Sequence, residues 1–365
     1  MKYINKIFCL GAVAIAVTAA SSCKKDNKGT AAGGSDSVLA YIGNNIILPA
    51  YQSTSSDVVA MDAAVLDFNA SPDAAKLTAL QTLFKKAYTD WQSISEYNSI
   101  GPAMTIQPGL KGLNLFPVSA DKINSNISSG NYDISSFTNA AAKGFPAMDY
   151  LLFNGSDVLS AYTTDALAEN RKKYLAAVSA DIRSEITAVA TAWLPSGGNY
   201  IKTFNSATGN SISGSLGLLI NSLDEDFEIL KNDRLGIPLG KLPPGSSLPV
   251  MPNEVEAYYS GISVQLALAQ LKTAEQIYLK GLDPYVVKIN ARYNGGALSD
   301  TIKAHFTAAI TQLNTIPDPL SQAIQSNPAP ANAVFAETQE LVVLLKTDMP
   351  SALGILITYG DNDGD

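Results

Sequence analysis

The sequence predicts an all-α protein of two packed helical bundles. Three observations carry this. Apolar residues recur at three- and four-residue spacing along most of the chain, Pro/Gly breaks separate the stripes, and no stretch shows sustained alternation with hairpin turns. At 365 residues the chain is long enough for two domains with separate cores, expected at 36–160 and 161–365 and joined by long irregular loops.

Residues 1–22 read as a signal segment. Lys2 and Lys6 supply a positive start, Ile7 to Ala20 is an apolar run too short to cross a bilayer, and Ala20-Ser21-Ser22 sets small residues ahead of Cys23. This arrangement resembles the lipobox of bacterial lipoproteins. The expectation is therefore an exported chain, acylated at Cys23 and anchored through it to a membrane of the cell envelope, taken to be the outer membrane. Removing residues 1–22 takes away Lys2 and Lys6 and shifts the net charge from -8 to -10. Residues 23–35 are polar and Gly-rich, a tether with nothing to pack.

The folded part is expected from about Asp36. Ser71-Pro72-Asp73 reads as a helix start, with a capping hydroxyl, a proline at the first helical position and an acid in the first turn. Leu77, Leu80, Phe84, Ala87, Trp91 and Ile94 form one stripe, ended by Gly101-Pro102. Leu175, Val178, Ile182, Ile186, Val189 and Trp193 form another, stopped at Pro195. Leu216, Leu219, Leu223, Phe227 and Leu230 form a third, closed by Gly236-Ile237-Pro238. Glu254 to Leu282 reads as one long helix, Ile302 to Leu313 as the next, and a last pair flanks Met349-Pro350. The least helical stretches, 101–135 and 231–252, are the kind of long loop that carries function.

Composition narrows the chemistry. With 25 Lys plus Arg against 33 Asp plus Glu, the chain is a poor match for nucleic acid. His305 is the one histidine, and Cys9 and Cys23 are the two cysteines. Multi-histidine metal centres and Ser/His or Cys/His nucleophiles are thereby disfavoured.

Gly144-Phe145-Pro146-Ala147-Met148-Asp149-Tyr150-Leu151-Leu152-Phe153 resembles the signature of the imelysin family, exported bacterial proteins once classed as peptidases. Trp91, Gly101-Pro102 and Asn114-Leu115-Phe116-Pro117 are similar to upstream elements of that family. Asp233-Arg234-Leu235-Gly236-Ile237-Pro238-Leu239-Gly240, Tyr259-Ser260 and Ser263 are similar to its second-half motifs, and 357–365 resembles the ends of Bacteroidetes members. The resemblance implies two helical bundles with a pocket between them, an envelope location and a part in iron acquisition, with iron or haem as candidate cofactors and an outer-membrane iron-uptake system as partner.

The departure from the signature, Gly-x-His-x-x-Glu, matters as much as the match. Pro146 stands in the histidine place and Asp149 in the glutamate place. A zinc hydrolase needs about three protein ligands and a bound water, so zinc and peptidase chemistry are disfavoured, with Asp149 the one metal-ligating side chain left at the motif. The residues expected at the pocket are Trp91, Gly101, Pro102, Asn114, Gly144, Pro146, Asp149, Arg234, Gly236, Pro238, Ser260 and Ser263. Arg234 can tie the two bundles or hold an anion. Trp91 and Tyr150 fall in apolar stripes and read first as core. Asp224, Glu225, Asp226 and Glu228 read as a solvated helix face, with an iron site of carboxylates and phenolates as the other reading. Asp361, Asp363 and Asp365 read as an acidic tail, and His305 as a surface or boundary residue rather than a haem ligand. The sequence-level reading is a lipid-anchored, non-catalytic binding component of iron or haem uptake. The alternatives are a divergent metallopeptidase and a scaffold for a protein or glycan.

Overall fold

The computed structural model describes residues 35–105, 110–243 and 245–358. The signal segment, Cys23 and the Asp361–Asp365 end lie outside the described residues. The first described helix, Ser35–Ile42, runs into a π-helical turn, Gly43–Ile47, which leads into the helix Leu48–Ala70. Among the described residues, strand structure is confined to a two-residue ladder pairing Arg292 with Ala297 and Tyr293 with Gly296. The all-α expectation holds.

The helix Ala74–Ser95 begins later than Ser71-Pro72 suggested. Asp73 is its cap, with a side-chain oxygen accepting from the Lys76 N–H at 2.8 Å, while the Ser71 hydroxyl accepts from Lys76 Nζ. A carboxylate there meets both the free N–H groups and the positive end of the helix dipole. Leu77, Leu80, Phe84, Ala87, Trp91 and Ile94 are all buried, as the stripe requires. This helix packs on Leu48–Ala70, which in turn packs on Ala168–Trp193. The first group of helices thus extends past residue 160. The helices Ser215–Ile229, Ser263–Ile277, Leu298–Leu313 and Ala329–Val343 form the second group, and Ser263–Ile277 also lies against Ala74–Ser95. That contact brings the two groups together beside the signature helix, Gly144–Phe153.

Two sequence expectations need correction. Residues 255–262 are not helical: Ala257 and Gly261 take left-handed backbone, at φ 51° and 66°, and the helix starts only at Ser263. At the other end, Met349-Pro350 does not break the chain. A π-helical turn, Leu344–Asp348, joins Ala329–Val343 to Met349–Leu353, with Pro350 in the first turn of that last segment.

Candidate functional site

The signature helix is placed by its first residue. Gly144 has φ +73°, and a Cβ there would run into the carbonyl of Leu113, so a glycine is needed for both reasons. Phe145 then stacks on Tyr88 at 4.8 Å between centroids and leans on Trp91 at 5.7 Å. Trp91 and Tyr150 are core residues, as expected. Such pairs contribute about 1 kcal/mol beyond the area they bury.

Asp149, one turn further on, is 1% exposed. Its Oδ2 accepts from the backbone N–H of Tyr259 and its Oδ1 from that of Ser260, both at 2.9 Å. The carboxylate therefore clamps the irregular 255–262 segment onto the signature helix. Burial pushes its pKa up to about 6, against the downward pull of these bonds.

Behind the clamp runs a buried relay. Tyr88 donates to Asn114 Oδ1 at 2.6 Å, and Asn114 and Gln92 donate to Glu256 Oε1 at 2.7 and 3.1 Å. Arg234 Nε lies 3.1 Å from Glu256 Oε2, an ion pair too bent for a hydrogen bond. Arg234 also donates to Gln270 Oε1, and Gln270 to the Asp226 carbonyl at 2.8 Å and to its carboxylate. Ser95 reaches Asp226 Oδ2 at 3.3 Å. The relay joins the helix Ala74–Ser95 to the second group of helices, and Arg234 is its tie. Arg234 sits in a π-helical segment, Leu230–Gly236, and is not past the helix end as the stripe suggested. Glu96, fully buried beside Asp226, is held well above the usual carboxylate range by burial first and by Asp226 second.

Three clefts open around these residues. One of about 290 Å³ is walled by Phe116, Pro117, Pro146, Asp149, Glu254 and Tyr258. A second, about 450 Å³, lies across Tyr258 and Tyr259 and is lined by Phe153, Asn154, Ser260 and Gln322 among others. A third, about 210 Å³, takes in Trp91, Asn114, Phe116, Asp226, Asp233 and Arg234. Tyr258 stands 40% exposed on the ridge between the first two.

The structure thus brings Trp91, Asn114, Pro146, Asp149, Arg234 and Ser260 to the clefts. Gly144 and Ser263 support them from behind, Ser263 by donating to the Glu256 carbonyl. Gly101 packs on Tyr200, Gly236 on Phe335 and Leu242, and the Pro238 carbonyl accepts from Met251 N–H at 2.7 Å. Gly101, Pro102, Gly236 and Pro238 line none of the three clefts. Sequence reasoning missed Gln92, Glu96, Glu256, Gln270 and Tyr258. The Ser260-Gly261 dipeptide, a turn signal inside an otherwise helical pattern, pointed to the last.

The acidic run is not a solvated face. Asp224, Asp226 and Glu228 are each 3% exposed or less, with Glu228 bound to Lys231 at 2.7 Å and Lys346 at 3.2 Å. Buried carboxylates persist because such partners offset their lost hydration. His305 is a boundary residue, with Nδ1 2.7 Å from Glu337.

The residues at the signature do not fit a resident metal of the His/Glu kind. Pro146 offers no ligand atom, both Asp149 oxygens already accept backbone N–H groups, and Glu256 is held by the relay. Among the described residues, no group of three His, Cys, Asp or Glu side chains is placed to share a metal ion.

Fold and site together define an all-α protein of paired helical groups, clefted at their junction and fastened there by buried charge. The chain belongs to the imelysin family, whose model (Imelysin) matches residues 47–347. Among solved structures it is similar to one described as an iron-regulated protein A precursor from Parabacteroides distasonis, with a TM-score of 0.70 and 16% identity over 87% of this chain and 94% of that one. It is also similar to an imelysin-like protein from Psychrobacter arcticum, with a TM-score of 0.64 and 20% identity over 89% and 97%. At these identities the likeness speaks for the fold. Among curated proteins there is no significant match.

Proposed function

We propose that this chain is a non-catalytic binding component of iron or haem uptake, held at the cell envelope through Cys23. Membership of the imelysin family and a structural neighbour described as iron-regulated support an iron-associated role. The observation that carries the non-catalytic part is at the signature itself. The histidine place holds Pro146, and the carboxylate of Asp149 is committed to the backbone of Tyr259 and Ser260. A side chain that fastens a loop in this way serves the shape of the site, and the clefts on either side of Tyr258 are left to hold the ligand. Iron then reaches this chain inside a larger organic frame, a chelate or a porphyrin, which aromatic walls and side-chain amides recognise.

The test is titration with haem and with ferric citrate, read by absorbance and calorimetry. Saturable binding of either that weakens in Tyr258→Ala supports the proposal. Binding of neither, with chelator-sensitive cleavage of unfolded substrates, would favour the divergent metallopeptidase instead. The anchor is tested separately: Cys23→Ser should release the protein from membranes, and retention would contradict that part.

A further inference from the structure

The cleft of about 450 Å³ across Tyr258 and Tyr259 differs in chemistry from its two neighbours. The one beside Pro146 is walled in part by Asp149 and Glu254, and the one at Arg234 by Asp226 and Asp233. The chain carries 25 Lys plus Arg and 33 Asp plus Glu, yet the described residues that line the Tyr258–Tyr259 cleft include none of them. The Lys85 ammonium lies 5.0 Å from the centre of the Phe153 ring but does not line the cleft. A charge held against such walls would lack a partner, so the lining selects a neutral ligand.

Both walls are fixed by the fold itself. Asp149 holds one through the N–H groups of Tyr259 and Ser260. Asp318 holds the other: its oxygens accept from the N–H groups of Val264 and Gln265 at 2.8 and 3.1 Å, which pins the start of the helix Ser263–Ile277 to the segment 318–322. Gly261, at φ +66°, lets the walls close up, since a Cβ there would stand 3.1 Å from Pro319 Cβ. What the walls present is polar but uncharged. Tyr258 is exposed and meets Tyr259 edge-on, with centroids 5.2 Å apart and planes at 87°. Asn154 and Gln322 are exposed too, and among the described residues neither side chain makes a hydrogen bond.

We propose that this cleft binds a neutral saccharide. A sugar ring has a face of C–H groups and a rim of hydroxyls. The rings of Phe153, Tyr258 and Tyr259 cover the first. The amides of Asn154 and Gln322 serve the second, because a hydroxyl both donates and accepts, as an amide does. The cleft has the size of a small-ligand site, and its pre-set walls lower the cost of ordering on binding. The inference does not rest on the iron-associated reading, since Asn154 and Gln322 line neither of the other two clefts.

The test is ligand-observed NMR titration of the full chain with maltose, cellobiose, mannobiose and N,N′-diacetylchitobiose, all neutral, and with the anionic digalacturonate. The expected result is saturable binding of at least one neutral disaccharide, several-fold tighter than digalacturonate. Asn154→Ala and Gln322→Ala should each weaken it about threefold to tenfold, the worth of one hydrogen bond. Both variants should melt with the parent, because neither side chain bonds to the rest of the fold. Gln339→Ala, an exposed change on the helix Ala329–Val343, should leave binding unchanged. The proposal is overturned by no saturable binding of any neutral probe, by digalacturonate binding as tightly as the best of them, by full affinity in either Asn154→Ala or Gln322→Ala, or by loss in Gln339→Ala.

Discussion

Asp149 Oδ1 accepts the backbone N–H of Ser260 at 2.9 Å, across 111 residues of sequence, and its other oxygen takes the neighbouring N–H of Tyr259. This contact turns a signature position into a fastener between two helical groups. In Asp149→Asn one acceptor becomes a donor that faces an N–H. The expected loss is about 1–3 kcal/mol, read by urea unfolding, from a buried group left unsatisfied. A variant as stable as the parent would show the clamp to be incidental.

Buried carboxyls make the protein less stable as pH rises. Asp149 is pushed up to about 6 and Glu185 up to about 7, in both cases chiefly by burial, and Glu96 is raised as well. A group whose folded pKa lies above its unfolded value stabilises fully below the unfolded value, near 4, and loses that contribution as pH climbs through the folded one. For Asp149 this amounts to about 3 kcal/mol at most. The melting midpoint should therefore fall between about pH 4 and about pH 7, and Glu185→Gln should flatten the upper part of the fall. A flat or rising profile would contradict the assignment.

Arg234 is a structural tie before it is anything else. It is 3% exposed, between Glu256 and Gln270, with Asp226 one bond further along. Removing it in Arg234→Ala leaves buried carboxylates without a cation, at a cost of about 3–5 kcal/mol. Arg234→Lys keeps the charge but loses the planar fork, so it should fall in between. Equal melting temperatures for all three proteins would sink this role.

Gly144→Ala and Gly155→Ala separate backbone strain from collision. Both glycines have positive φ, +73° and +97°, but a Cβ at 144 meets the Leu113 carbonyl whereas one at 155 meets nothing within 4 Å. Gly155→Ala should cost about 1–2 kcal/mol of strain alone, and Gly144→Ala clearly more. Similar losses at the two sites would mean that the close approach to Leu113 is not rigid.

Much of the fold was legible because buried helix faces leave a periodic trace. Leu77 to Ile94 and Leu175 to Trp193 are buried residue for residue as their spacing implies. The site was only partly legible, for a physical reason. Tertiary hydrogen bonds decide the backbone of 255–262, where Asp149 draws the N–H groups of Tyr259 and Ser260 out of any helix, and local spacing records no partner so distant. Glu256 and Asp226 look like ordinary helix-surface acids for the same reason, since what buries them is Arg234 and Gln270. The π-helical turn that carries Arg234 adds a residue to the helical count and hides its direction from a 3.6-residue pattern.

The most direct measurement is metal content and melting temperature taken on the same preparations of the parent protein and Asp149→Asn. If Asp149 is a clamp, neither protein holds stoichiometric zinc or iron of its own, and the variant melts several degrees lower. One tightly held metal ion per chain, lost in Asp149→Asn while the melting temperature stays put, would make Asp149 a metal ligand and overturn the account.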